Sequence, residues 1–444
     1  MSQLVKSESK YQSAFRNVQS SFSDSQGSWL ERLRARAMDR FDEVGLPSVR
    51  EEEWKYTNLA ALAKLDLDPV VISRVEVSAE TLKAFTHPEL ANSQVVLVNG
   101  IFQKELSSLA GASEIVAMDL SEAVADSRYG DLIREHLARG ADYMQSGLTA
   151  LNTAFLGSGA FILIPRNVSL EVPLHILCLS DPEGPEMTSM PRVLVVSEEN
   201  SSATIVETYS ATKEGQYFTN VVVEIVLLDG ARLEHYRVQR ESNSAFHVAT
   251  TAADLGRGSS YDTTSITLGG RLSRHDINVI MDHEGAECWV DGLYLVSTGQ
   301  HADTHSMIDH KQPNCSSHQL YKGILDGNSR AVFNGKIFVR HGAQKTDAMQ
   351  TNKNLLLSPE ARVDTKPQLE ILADDVKCAH GAAVGQLDED ELFYLGTRGI
   401  HAELARNLLT YGFAEEVIGK IKVESIRAQL DEAVLHRLNA RLDV

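Results

Sequence analysis

The hydrophobic pattern divides the chain into stretches of different period. Trp29, Leu30, Leu33, Ala37 and Phe41 recur at helical spacing. Ser28 and Glu31 form a capping box in front of them, and Gly45-Leu46-Pro47 stops the helix. A second box, Ser48 to Glu51, opens Glu51-Glu52-Glu53-Trp54-Lys55-Tyr56-Thr57-Asn58-Leu59. Its aromatics read first as anchors of a helix to its domain, and second as a ligand platform. Residues 94–102 read as two strands joined by an Asn99-Gly100 hairpin turn. Over 131–155, Leu132, Ile133, Leu137, Tyr143, Leu148, Leu151 and Phe155 fall on broadly one helical side. Residues 1–27 are rich in Ser and Gln and read as loose at the start.

From about residue 158 the texture changes. Short runs of Val, Ile, Leu, Thr and Tyr alternate with Gly, Asp, Asn and Ser turns, without a convincing helix. Similar openings recur about every 27–28 residues: Ser202-Ala203-Thr204-Ile205-Val206, Gly230-Ala231-Arg232-Leu233-Glu234, Ser259-Ser260-Tyr261-Asp262 and Gly285-Ala286-Glu287-Cys288-Trp289. Later ones, at Ser329-Arg330-Ala331-Val332, Glu360-Ala361-Arg362-Val363 and Cys378-Ala379-His380, are less regular. A repeated short-strand unit predicts a β-solenoid, because one coil cannot bury its own apolar face and must stack on the next. A sandwich or barrel stays open, although the run of strands is long for either.

After Leu387 helical spacing returns. Glu391 to Leu395 is stopped by Gly396. Residues 401–413 carry Leu404, Leu408, Leu409 and Tyr411. Residues 415–442 carry Val417, Ile418, Ile421, Ile426, Leu430, Val434, Leu435 and Leu438. The expected architecture is mainly β. A mostly helical N-terminal region with a short hairpin spans 1–157, a β-solenoid core spans 158–387, and a helical C-terminal region spans 388–444. The flanking helices are expected to cap the open coil edges and equally to carry partner surfaces.

Charge and composition narrow the function. Acids outnumber bases 61 to 42, a net charge of −19, which argues against a general binder of nucleic acid or anionic membrane. No apolar run approaches the ~18 residues of a membrane span; the strongest, 221–228, is interrupted by Glu224. The start of the chain is polar, with no signal-peptide core. Cys178, Cys288, Cys315 and Cys378 are scattered with no Cys-x-x-Cys, a reduced, cytoplasmic pattern rather than a disulfide framework. There is no P-loop, no dinucleotide fingerprint and no Gly-x-Ser-x-Gly, hence no evident means of hydrolysing ATP or binding a dinucleotide.

The sharpest candidate chemistry lies in Val376-Lys377-Cys378-Ala379-His380-Gly381-Ala382-Ala383-Val384-Gly385. In a strand, Cys378 and His380 point to the same face, roughly 7 Å apart. Thiolate and imidazole bind iron, zinc and iron–sulfur clusters, but a closed tetrahedral site wants about four ligands. The pair reads as half a metal site, and its small neighbours leave room for another chain. The competing reading is a core face, since Val376, Ala382 and Val384 share the same parity and a buried Cys behaves as a small hydrophobe. Lys377 has the opposite parity and is poorly placed to lower the thiol pKa. Residues 301–318 offer His301, Asp303, His305, Asp309, His310, Cys315 and His318, which could make the chain a stand-alone iron or zinc binder, although the spacings match no standard pattern. A solenoid acting on polysaccharide could recruit Asp303, Asp309 and Arg340.

Several fragments together resemble the SufB/SufD family of iron–sulfur cluster assembly scaffold subunits. They are Gly45-Leu46-Pro47 with Glu53-Trp54-Lys55-Tyr56-Thr57, Ala150-Leu151-Asn152, and Pro313-Asn314-Cys315-Ser316-Ser317 with Tyr321-Lys322-Gly323. Further along come Asn352-Lys353-Asn354-Leu355-Leu356-Leu357-Ser358, Lys366-Pro367-Gln368-Leu369-Glu370-Ile371, Lys377-Cys378-Ala379-His380-Gly381-Ala382 and Arg398-Gly399-Ile400. The Cys-x-His-Gly form, with no cysteine before Cys178, is similar to the SufD branch rather than the SufB branch. The resemblance implies a right-handed parallel β-helix between helical regions, and a non-catalytic scaffold in a complex with SufB and the ATPase SufC. It implies that the C-terminal helices, roughly 388–425, dock SufC, and that the last coils pair with SufB. His380 would face SufB and help hold a transient cluster or iron, with Cys378 as a weaker candidate. A share in iron entry and a homodimer of the isolated chain are further roles the resemblance suggests.

Overall fold

The computed structural model describes residues 10–22, 28–65, 68–71, 77–184 and 187–437. Between residues 192 and 385, successive strands alternate between two sheets. Phe218–Leu227, Phe246–Leu255, Leu272–Met281, His301–His310, Arg330–Val339 and Arg362–Ile371 follow one another in an eleven-stranded sheet. Ser202–Ala211, Arg232–Arg240, Ser260–Thr267, Glu287–Val296, Ser316–Leu325, Asp347–Leu356 and Lys377–Gly385 do so in a ten-stranded sheet. Each pairs in parallel with the strand one coil before or after, so the chain is a β-solenoid of about 8 turns, as its sequence predicts.

The recurring openings are the corners of these coils. Ser202, Arg232, Ser260 and Glu287 are register partners in the ten-stranded sheet. Arg330 and Arg362, by contrast, pair in the eleven-stranded sheet. Mixing two strand sets makes the later spacing look irregular. The positive φ of Gly285 (74°), just before Glu287, is one such corner that favours glycine. Inward residues of both sheets, among them Val221, Val223, Ile225, Cys288, Val290 and Tyr294, form one continuous core.

Helices cover the outer faces. Val417, Ile418, Ile421, Ile426 and Leu430 pack on Tyr236, Val238, Ile266 and Leu293 of the ten-stranded sheet. Each fully buried aliphatic is worth about 1.5–3 kcal/mol. Lys322 pairs with Glu416, and Lys420 with Asp291, across the same seam. The C-terminal helices thus lie along the flank rather than capping the coil ends, because their apolar side matches the outer face of the sheet. The two stretches expected over 401–413 and 415–442 are the helices Ala402–Ile418 and Glu424–Arg437, so the break falls at 419–423 rather than at 414; residues 438–444 lie outside the described residues.

The N-terminal region follows its caps closely. Ser28 Oγ accepts the Glu31 N–H at 3.0 Å, and Gly45 ends the helix Trp29–Val44 at φ 68°. Glu51 accepts the Ser48 N–H at 2.8 Å, but that box opens only the 3-10 turn Glu52–Trp54. The chain there is drawn onto the solenoid. The Arg274 guanidinium stacks on Trp54 at 3.7 Å, and Thr57 donates to Asp303 at 2.6 Å. The anchor reading of Trp54 holds. Residues 10–19, read as loose, are helical; residues 1–9 and 23–27 lie outside the described residues.

The helix expected over 131–155 is also two, Gly130–His136 and Gly147–Ala154. Between them the N–H groups of Ala138, Arg139 and Ala141 donate to Glu224 at 3.0, 3.0 and 3.2 Å. Glu224 is buried and also pairs with buried Arg192. The one acid in the strongest apolar run is therefore the anchor that breaks the helix.

The two ends of the solenoid differ. Gln94–Val98 and Ile101–Phe102 form the expected hairpin about Asn99 (φ 51°) and Gly100 (φ 85°), and Gln94–Val98 pairs in parallel with Leu174–Ser180. The hairpin closes the first edge of the ten-stranded sheet, and antiparallel Val116–Asp119 closes that of the other. At the opposite end, Arg362–Ile371 and Lys377–Gly385 are the terminal strands, each paired on one side only.

Candidate functional site

The unclosed end is where Cys378 and His380 lie. Lys377–Gly385 pairs with Asp347–Leu356, which sets Cys378 opposite Ala348 and His380 opposite Gln350. Ala348, Gln350, Asn352 and Asn354 are buried inward positions. Cys378, His380, Ala382 and Val384 continue that inward column, but no described strand lies beyond them. Val376 and Cys378 are therefore half-buried at the rim of the core, while His380, Ala382 and Val384 are exposed. Shared parity gave the right direction and the wrong burial: the core-face reading is overturned for His380, because the core stops one coil earlier.

The pair is accessible in a specific way. Burial pushes the Cys378 thiol above its usual value, and the Asp347 carboxylate adds to the shift. At neutral pH the group stays a thiol until an incoming cation or base removes its proton. A side chain at Gly381 or Gly385 would meet nothing within 4 Å, so these glycines leave open space beside the strand. The strand also presents a row of backbone groups without a neighbouring strand, the usual template for a second chain.

Directly beneath lies a floor of amides that the sequence reading assigned no role. Asn352 donates to the Tyr321 carbonyl at 3.2 Å and accepts from Asn354 at 2.6 Å and Thr365 at 2.8 Å. Gln350 donates to Gln319 at 2.7 Å, which in turn donates to Ser306 at 2.8 Å. Asn352 and Asn354 belong to the Asn352-Lys353-Asn354 family fragment, a signal that could have found them; Gln350 lies outside it.

The second cluster, 301–318, is dispersed. His301, Asp303 and His305 face outward toward the 51–57 segment. Thr57 bridges His301 and Asp303, Arg274 pairs with Asp303 at 2.7 Å, and His305 lies between Asp303 at 3.0 Å and Glu53 at 3.1 Å. Burial opposes charge on His305, but the two carboxylates outweigh it and lift its pKa to about 9. Burial likewise opposes charge on Asp303, yet Arg274 and His305 hold it well below the carboxylate range. His310 is buried and bonded to Ser317 at 2.8 Å, with its pKa driven down to about 4 chiefly by burial. Cys315 is buried against the His283 carbonyl, and His318 stacks on Trp289 in the other sheet. Asp309 pairs with Arg340 at 3.0 Å. Asp303, Asp309 and Arg340 are thus engaged in ion pairs rather than free along one groove. Among the described residues, no group of three or more His, Cys, Asp and Glu is placed to hold a metal ion.

Comparison with known proteins gives the family. Residues 179–413 match the SufBD core domain of the SUF system of iron–sulfur cluster assembly, and residues 5–176 match the SufBD N-terminal region. The chain is 36% identical over 430 residues to an iron–sulfur cluster assembly SufBD family protein of Synechocystis, covering 94% of this chain and 93% of that protein. It is 31% identical over 403 residues to the iron–sulfur cluster assembly protein SufD of Escherichia coli, covering 90% of each. It is 27% identical over 419 residues to SufD of Bacillus subtilis, covering 90% of this chain and 92% of that one. With both halves matched and similarity running almost end to end, the chain belongs to the SufBD family of the SUF iron–sulfur cluster assembly system.

Proposed function

We propose that the chain is a SufD-type, non-catalytic scaffold subunit that works in the cytoplasm with SufB and the ATPase SufC. The observation that carries this is the terminal strand Lys377–Gly385, paired on one side and exposing His380 beside the half-buried Cys378. An assembly scaffold must hold its product and then release it. A ligand set divided between two chains opens when the chains move apart, whereas a closed four-ligand site holds on. Here the cluster is cargo: His380, with Cys378 behind it, supplies part of its ligands, and SufB supplies the remainder. The same unpaired edge would let the isolated chain pair with a second copy of itself.

SufC would dock on the C-terminal helices, about 388–425. The helix Glu389–Thr397 has no buried residue and leaves Phe393 and Tyr394 73% and 55% exposed, more apolar surface than an unpartnered helix normally presents. The next helices grip the flank of the ten-stranded sheet through Lys322, Lys420 and Lys422, so a push on them is delivered to the coils. His380→Ala is the test. The variant should co-purify with SufB and SufC yet load little or no cluster, and the chain alone should show no ATPase activity. Full cluster loading by the variant would refute the shared site.

A further inference from the structure

Three amides lie in register directly beneath the open strand: Gln350 under His380, Asn352 under Ala382 and Asn354 under Val384. Asn352 uses both its donor and its acceptor, and Asn354 donates to Asn352 while accepting from Tyr294. Gln350 differs. Its Nε2 is committed to Gln319, but its Oε1 is buried and has no hydrogen-bond partner. Leaving such an acceptor unsatisfied in the interior is unfavourable. The facing sheet makes room for this amide, since a Cβ on Gly335 would collide with the Gln350 side chain. Only the amide under the imidazole therefore keeps an atom in reserve.

From this geometry we infer that Gln350 is a positioning residue for His380. Its spare oxygen accepts the N–H of one imidazole nitrogen when His380 turns inward to take cargo. That bond fixes the tautomer, so the lone pair of the other nitrogen is directed at iron. Histidines that bind metals commonly lodge their second N–H on an oxygen in this way, and the bond makes the imidazole a better donor. The Gln350 nitrogen donates to Gln319, one coil farther from the open strand, which leaves the oxygen as the uncommitted end of the amide. This inference rests on the assignment of His380 proposed above.

The test uses the complex reconstituted with SufB and SufC, loaded with cluster, and reads both loading and reduction potential. Gln350→Leu removes the acceptor, and Gln350→Glu keeps an acceptor and strengthens it. Gln350→Leu should lower loading about 10-fold or more and raise the potential of what remains. Gln350→Glu should retain loading and move the potential the opposite way, because a carboxylate makes the imidazole more electron-rich. Potentials that stay at the wild-type value, or shift together in one direction, would overturn the inference. If Gln350→Leu does not fold, the direction of the Gln350→Glu shift alone decides. His380→Ala separates the two levels. If it leaves loading and potential unchanged, the shared site itself fails. If it abolishes loading while the Gln350 potentials do not split, only the role of Gln350 fails.

Discussion

Strand glycines in the ten-stranded sheet serve two opposite purposes, and substitution separates them. Gly292 is the register partner of Tyr321, and Gly323 is that of Tyr294. Each tyrosine ring lies across the glycine of the neighbouring coil, and a Cβ would lie 2.2 Å from a Tyr321 ring carbon at Gly292 and 2.1 Å from a Tyr294 ring carbon at Gly323. Gly292→Ala or Gly323→Ala must displace a fully buried aromatic side chain. Overpacking of this kind costs about 1–3 kcal/mol, against which the lower chain entropy of alanine returns about 0.5–1 kcal/mol. The net loss is on the order of 1–2 kcal/mol, or about 2–4 °C in Tm. Gly381 stands on the terminal strand with nothing within 4 Å. Gly381→Val should leave Tm unchanged or slightly raised, because a β-branched residue suits a strand. Its added bulk should nevertheless weaken capture by SufB about 10-fold or more, roughly 1.4 kcal/mol. Thermal unfolding of the three variants, with a co-purification titration of Gly381→Val, checks the set. A Gly381→Val chain that loses several degrees would refute the reading of an open coil. One that binds SufB as the wild type does would refute docking at this strand.

Thiol alkylation of the native chain should modify Cys378 first, since Cys178, Cys288 and Cys315 are buried; because its thiol is shifted upward, the rate should keep rising above pH 9, and mass spectrometry finding another cysteine labelled first would contradict the fold. Glu224→Ala should cost about 3–5 kcal/mol in a denaturant titration, since it strands a buried guanidinium and three backbone donors, and a loss below about 1 kcal/mol would show that the anchor is not needed. His305 has a folded pKa of about 9, raised above the ordinary 6.5. Its charge therefore stabilises the 51–57 segment fully below about pH 6.5, and the contribution fades as pH rises through about 9. His305→Gln should be less stable than wild type by on the order of 2 kcal/mol at pH 6 and nearly equal at pH 10; a gap that does not change with pH would refute the charged pairing with Asp303 and Glu53.

Much of this was legible along the chain because it is set by local chemistry. The Ser28 cap, the Gly45 stop and the Asn99-Gly100 turn depend on residues within a few positions of one another, and all three formed as read. The solenoid was legible because each coil repeats the demands of the last. The soft-ligand pair was legible because strand parity alone puts Cys378 and His380 on one face. What parity could not reveal is whether anything lies above that face. Exposure of His380 follows from its being on the last strand of its sheet, a fact about coil order rather than about neighbours in sequence. Likewise Glu224 looked like a flaw in an apolar run until Arg192 and the 138–141 backbone arrived from elsewhere in the chain. The ligand-rich stretch 301–318 came apart because a corner and the alternation of strand faces send its side chains to opposite sides of the molecule. Spacing and propensity decide which segments become strands and helices. Only the stacking of the coils decides which polar side chains become partners, and which are left facing an open end.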